Sequence, residues 1–418
     1  MLSSKLGIRY SPGGFIFEGA GPSLFANDEI LIELLGFLGS KVANYILNII
    51  NPTLNINIDD LKKLPIIFTK SKLMNEIKDL TIKNIEISKK DWDSYETSWD
   101  FKKHPLLFNE VSIISAFEKW KIISNKRFLE LKTNEETLNE IFIRIYNLEN
   151  ELNCIVEETE ISLSLPYLSN DIKSFISYAV GCMFGRYSLD EEGLIFAGGE
   201  WIKSKYSRFQ PDDDNIVPIL DEEYFEDDIV GRLVEFVKVS FGDEMLEENL
   251  DFIAEALKMK GSTSRDIIRN YFLTDFYKDH LKTYKKRPIY WLFDSGKNNG
   301  FKSLIYMHRY EPDLVARVRT DYLHKTQKAL ESAIANNERI IKTSQNTSEK
   351  SKAVKTRDKL VKQLEETRQY DLALAHIANK KIEIDLDDGV KVNYAKFQDV
   401  EVSAEGKKIT KINLLTKI

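Results

Sequence analysis

The chain has 418 residues, 43% hydrophobic and 11% aromatic, enough apolar side chain for real cores and too much for a disordered polymer. A formal charge of −7 argues against a free-standing, nonspecific DNA binder, because phosphate affinity comes from clustered lysine and arginine. Two cysteines, Cys154 and Cys182, offer neither metal spacing nor a disulfide framework, as expected of a soluble cytoplasmic protein. From the N-terminus, Phe15-Ile16-Phe17 follows the turn signal Ser11-Pro12-Gly13-Gly14 and is predicted as a short strand. Asn27-Asp28 opens a helix-spaced run, Ile30, Leu34, Leu35, Leu38, Val42, Tyr45 and Ile46. Glu33, Lys41 and Asn44 make that run too polar to span a bilayer, so no membrane partner is expected. Leu54-Asn55-Ile56-Asn57-Ile58 alternates as a half-buried strand does, which makes residues 1–70 a small α/β unit. Residues 71–152 are predicted as a helical spacer, with aromatic patches at Trp92 and Trp99 and a helix pair over about 106–125 and 135–152. Residues 153–312 carry helices near 175–184, 227–240, 246–258 and 264–284 and strands at 288–293 and 303–310, an α+β domain. In 313–381, Leu323, Leu330, Ile334 and Ile341, then Val354, Val361, Leu364, Leu374 and Ile377, flank the break at 343–348. That pattern predicts an antiparallel helical hairpin. Residues 382–418 are predicted as a closing β-hairpin and tail, with alternating strands around Asp387-Asp388-Gly389. The fold class is therefore mixed α/β and α.

Charge is unevenly spread. Residues 186–260 hold 20 acidic against 8 basic side chains, whereas 261–328 hold 14 basic against 7 acidic. Within the basic segment, Lys282, Lys285, Lys286 and Arg287 sit beside Tyr284 and Tyr290, and Arg317 and Arg319 extend the patch if the fold brings them near. These six are the candidate DNA-contacting residues, since local fields decide encounter with a polyanion. The alternative is a surface of weak ion pairs with the acidic segment. Asp212-Asp213-Asp214 and Asp227-Asp228 are acidic runs of the kind more often solvated than metal-bound. The five histidines, His104, His280, His308, His324 and His376, fall in no ligand-spaced cluster, and no metal is expected. No serine elbow or phosphate loop occurs. An adenine methyltransferase needs an Asn/Asp-Pro-Pro-aromatic loop to hold the flipped base, and none of the 10 prolines is followed by another. Phe17-Glu18-Gly19-Ala20-Gly21 looks like a cofactor glycine loop, but no carboxylate-tipped strand follows, and a turn is the default. Trp92, Trp99 and Trp291 are expected in cores.

Several stretches are similar to the PglX family of type 1 BREX adenine-specific DNA methyltransferases. They include Lys41-Val42-Ala43-Asn44-Tyr45, Asn51-Pro52-Thr53-Leu54-Asn55, Leu64-Pro65-Ile66 and Lys90-Asp91-Trp92-Asp93-Ser94-Tyr95-Glu96-Thr97-Ser98-Trp99. Others are Ser177-Tyr178-Ala179-Val180-Gly181-Cys182-Met183-Phe184-Gly185-Arg186-Tyr187, Lys286-Arg287-Pro288-Ile289-Tyr290-Trp291 and Asp385-Leu386-Asp387-Asp388-Gly389-Val390-Lys391-Val392. The resemblance covers nearly the whole chain and implies the C-terminal portion of such an enzyme. It implies half of a target-recognition domain in 1–70, and DNA, a catalytic methyltransferase part and other BREX proteins as partners. S-adenosylmethionine would belong to the family's catalytic region, ahead of the part seen here, with no cofactor, catalytic or metal residue in this chain. The rival expectation is an assembly protein of the defence complex that never touches DNA.

Overall fold

The computed structural model describes residues 6–16, 23–53, 56–67, 72–108, 110–402 and 410–418. The chain forms two compact units that interleave along the sequence, one from residues 1–94 and 118–166, the other from 95–117 and 167–418.

The first unit is helical. The run predicted as one helix is two, α1 (Asp28–Leu38) and α2 (Lys41–Ile50), because Gly39-Ser40 interrupts it. The Asn27 side chain caps α1 by accepting from the Ile30 amide, and Ser40 caps α2 by accepting from Ala43. The strand predicted at Leu54–Ile58 does not form where it is described. Asn57 and Asp60 instead make a reciprocal capping box for the short α3 (Ile58–Leu61), while 54–55 lie outside the described residues. Phe15 and Ile16 are irregular, and Phe17 with the glycine loop 17–21 also lies outside them. Helices α4 (Lys72–Trp92) and α5 (Ile113–Ile145) complete the unit, α5 from residue 118 onward. α5 is continuous where two helices were expected. The Thr133 and Thr137 hydroxyls fold back onto the carbonyls of Leu129 and Thr133, and Asn134 donates to Asn84, so these polar residues are satisfied without breaking the helix. Leu34, Phe37, Val42, Leu47, Ile77 and Phe142 form the core. Gly36 lets α1 and α4 approach, since a Cβ there would lie 2.6 Å from the Thr81 hydroxyl.

In the second unit, α6 (Leu168–Met183) is followed by β1 (Val217–Pro218), α7 (Ile229–Phe241), α8 (Leu246–Leu257), α9 (Ser264–Thr274) and α10 (Phe276–Thr283). Strands β2 (Tyr290–Asp294) and β3 (Lys302–Tyr306) pair antiparallel, with β1 on the outer side of β3. Next come α11 (Leu314–Arg317), a π-helical stretch at Val318–Leu323, α12 (His324–Thr343) and α13 (Thr347–Lys380). Leu330 packs with Leu360 and Leu364, and Arg368 pairs with Glu331 at 2.8 Å, an antiparallel hairpin. The β-hairpin predicted around Asp387-Asp388-Gly389 is absent. Gly389 instead precedes α14 (Val390–Ala395), and the closing antiparallel pair lies further on, as β4 (Val400–Val402) and β5 (Thr410–Ile412). Trp291, Phe293, Phe301, Ile305, Tyr370, Leu374, Ile377 and Phe397 form the core beneath the sheet. No single helix among the described residues is long and apolar enough to cross a membrane.

Candidate nucleic-acid interface

Helix α9 starts at a capping box, Thr263 with Asp266, and α10 follows it directly, with Asp275 between them. α10 ends at Tyr284, after which the chain reverses through two consecutive left-handed residues, Lys285 (φ 50°) and Lys286 (φ 59°). L-residues avoid this region at roughly 1–2 kcal/mol each, so the turn is held from both sides. The amides of Lys285, Lys286 and Arg287 donate to the carbonyls of Lys282, Leu281 and Tyr284 at 3.2, 2.8 and 2.9 Å. His280 Nε2 then accepts from the amides of Ile289 and Tyr290, both at 3.2 Å, which aims the chain into β2. Full burial pushes the His280 pKa down to about 3, and Arg186 adds to the effect, so the ring stays neutral and keeps that acceptor. The result is a knuckle on which Lys282, Lys285, Lys286 and Arg287 are all exposed, and none forms an ion pair among the described residues.

Beneath it lies a buried polar cluster. The Tyr284 ring faces His280 at 4.8 Å, and Tyr290 faces it at 4.9 Å. The Arg186 guanidinium donates to the hydroxyls of Tyr306 (3.1 Å) and Tyr187 (3.2 Å). The fully buried Glu96 carboxyl accepts from Ser177 Oγ at 2.6 Å; burial raises its pKa, against the pull of Ser177 and Arg186. Sequence reasoning missed Arg186 and Glu96 as a pair, because 90 residues separate them and neither stands in a charge run. Both stand within the stretches that carry the family resemblance.

Arg317 and Arg319 do not join the free cations. Arg317 pairs with Glu311 (2.7 Å) and Asp313 (3.3 Å), and Arg319 grips Asp371 in a two-pronged bond at 2.7 and 3.1 Å. The two acidic runs do meet: Asp212, Asp214 and Asp227 place one carboxylate oxygen each within 4.8 Å of one another. Tyr322, in the π-helical stretch, sets its hydroxyl 2.9 Å from Asp214 and 2.6 Å from Asp227. A hydroxyl has one hydrogen to give, so two such contacts call for a proton on one of the carboxyls. Burial and then neighbouring Asp214 push the Asp212 pKa up to about 7. Asp228 plays a different part, capping α7 and pairing with Arg269 at 2.7 and 2.8 Å. Of the tryptophans expected in cores, Trp291 is buried, but Trp92 is half exposed and Trp99 is 94% exposed.

A basic turn thus stands on a mixed, helix-rich scaffold in which no single helix among the described residues is both long and apolar enough to cross a membrane. No family model matches the chain. The chain is a homologue of part of the adenine-specific methyltransferases. Over 406 residues it is 43% identical to the adenine-specific methyltransferase PglX of Lacticaseibacillus casei (strain Zhang), a match covering 95% of this chain and 34% of that protein. Over 425 residues it is 39% identical to the adenine-specific methyltransferase BrxX of Escherichia coli O9:H4 (strain HS), covering 94% and 35%. The chain spans about a third of the length of the curated relatives it matches.

Proposed function

We propose that the chain supplies DNA target recognition and complex assembly to a BREX-type adenine-specific DNA methyltransferase in phage defence. Its partners would be duplex DNA, the part of such an enzyme that transfers the methyl group, and other proteins of the defence complex. S-adenosylmethionine would be held by that other part. The observation that carries this reading is the knuckle: four exposed cations on a rigid turn, unpaired among the described residues, in a chain that is acidic overall. Cations left without carboxylates keep their field for phosphate, whereas Arg317 and Arg319 spend theirs internally. The test is duplex binding by fluorescence anisotropy at several salt concentrations. Lys285→Glu, Lys286→Glu and Arg287→Glu together should weaken binding to every sequence alike and lower the salt slope by about 3, at roughly 0.9 for each phosphate no longer neutralised. Unchanged affinity and slope would remove the knuckle from the interface.

A second reading, a protein-docking part that never touches DNA, is favoured by Trp99, whose ring is nearly fully exposed on the 95–104 loop. Trp99→Ala should then abolish capture of a defence-complex protein while leaving duplex binding unchanged.

A further inference from the structure

We infer that the N-terminal half of α13 carries a second phosphate-contacting surface, a lysine stripe that engages the duplex alongside the knuckle. The inference rests on the DNA-binding reading and is carried by a separate set of residues. Along α13, Ala353, Leu360, Leu364 and Thr367 are buried and define the inner side of the helix. Lys352, Lys355, Lys359 and Lys362 recur at steps of three, four and three, which puts them in one row on a flank of the helix away from those residues, a row that Glu366 and the buried Tyr370 continue. All four are exposed. Lys352, Lys355 and Lys362 form no ion pair among the described residues, whereas Lys359 is held by Asp221. The row spans ten residues of rise, about 15 Å, over which a duplex presents roughly nine phosphate charges.

The structure also fixes the C-terminal end of this row to the body of the unit. Glu366, one turn past Lys362, accepts from Ser295 Oγ and the amides of Asn298 and Gly300 at 2.8, 2.8 and 3.1 Å. Gln363 donates to Asp221 and to the carbonyls of Asn298 and Asn299. Those bonds seat the turn between β2 and β3 against α13, and the exposed Lys297 on that turn adds a fifth cation beside the row. Residues 336–362 hold 8 basic against 3 acidic side chains, so the hairpin end carries its own positive field in a chain of net −7. An ordinary solvated helix face mixes signs at these steps; this row does not until Glu366.

The experiment compares wild type with the stripe variant Lys352→Glu, Lys355→Glu, Lys362→Glu, the arginine version of the same three, and the knuckle variant. Each is titrated with duplex DNA across salt concentrations, with helicity and melting measured alongside. The three lysines lie away from the hairpin seam, so folding should be unaffected. The stripe variant should lose at least about tenfold in affinity at low salt, with a salt slope lower by about 3, while the arginine version binds as wild type does. A stripe variant indistinguishable from wild type, while the knuckle variant weakens, overturns the inference and leaves the DNA reading standing. The reverse pattern removes the knuckle and keeps the stripe. Absence of duplex binding by wild type at any salt overturns both. Competition by polyglutamate as effective as DNA at equal charge would overturn the stripe's assignment to DNA and give the row to an acidic protein instead.

Discussion

At the scale of single residues, local charge was legible and its partners were not. Lys282, Lys285, Lys286 and Arg287 could be named from their run, since no carboxylate among the described residues arrives to neutralise them. Arg319 has the same appearance in sequence, yet its carboxylate, Asp371, comes from 52 residues away. The left-handed turn offers a way to separate backbone from charge. Lys286→Gly should relieve a strained φ worth about 1 kcal/mol while deleting one cation. Melting temperature should stay level or rise as the DNA salt slope falls by about 1; a lower melting temperature would place the role of Lys286 in packing. Asp212 permits a pH test. Its folded pKa is raised above the ordinary 3.8, to about 7, by burial and by Asp214. A raised carboxyl contributes stability fully present below about pH 4 and lost as pH climbs through about 7. Asp212→Asn keeps the acceptor for the Ile216 amide and removes the titration. The drop in melting temperature between about pH 5 and pH 8 should therefore be smaller in the variant, and an equal drop in both proteins would place the proton elsewhere.

At the scale of elements, the two long hairpin helices fall where the apolar spacing predicts them, because their seam is made by local repeats: Leu330 on α12 meets Leu360 and Leu364 on α13. Replacing Leu330 and Leu364 by Asp puts two charges into that seam, at a cost of several kcal/mol in the absence of partners. Helical circular dichroism should fall and the melting temperature with it; unchanged values would mean the seam lies elsewhere. The β-hairpin around Gly389 failed for an instructive reason. Alternation in Ile382-Glu383-Ile384 is satisfied by an irregular segment whose isoleucines pack against the core, while Val390, Asn393 and Tyr394 follow helical steps. Short apolar runs do not distinguish the two periods, and here Asp388-Gly389 leads into a helix instead of turning a hairpin. The expected break in α5 failed because its Thr and Asn side chains find partners within or beside the helix.

At the scale of the whole molecule, the net charge of −7 conceals a sharply divided chain, with acidic side chains crowding 186–260 and cations concentrated in the knuckle and the hairpin end. The chain matches about a third of the length of two adenine-specific methyltransferases, and its ten prolines include no Pro-Pro pair. Isothermal calorimetry with S-adenosylmethionine should accordingly give no heat of binding for the chain alone, and micromolar binding would contradict that expectation. One consequence follows from how α13 is seated. The helix is 34 residues long, about 51 Å. Tyr370, Ala373, Leu374 and Ile377 are sunk in the main core, whereas the N-terminal turns pack chiefly on α12. A single helix should therefore open in stages. Amide hydrogens beyond Gln363 should exchange only with global unfolding, and those before Arg357 should exchange orders of magnitude faster, through fraying of the hairpin end. Lys352 and Lys355 would then ride on the looser half of a lever, while Lys359 and Lys362 sit next to the half that is bolted into the core.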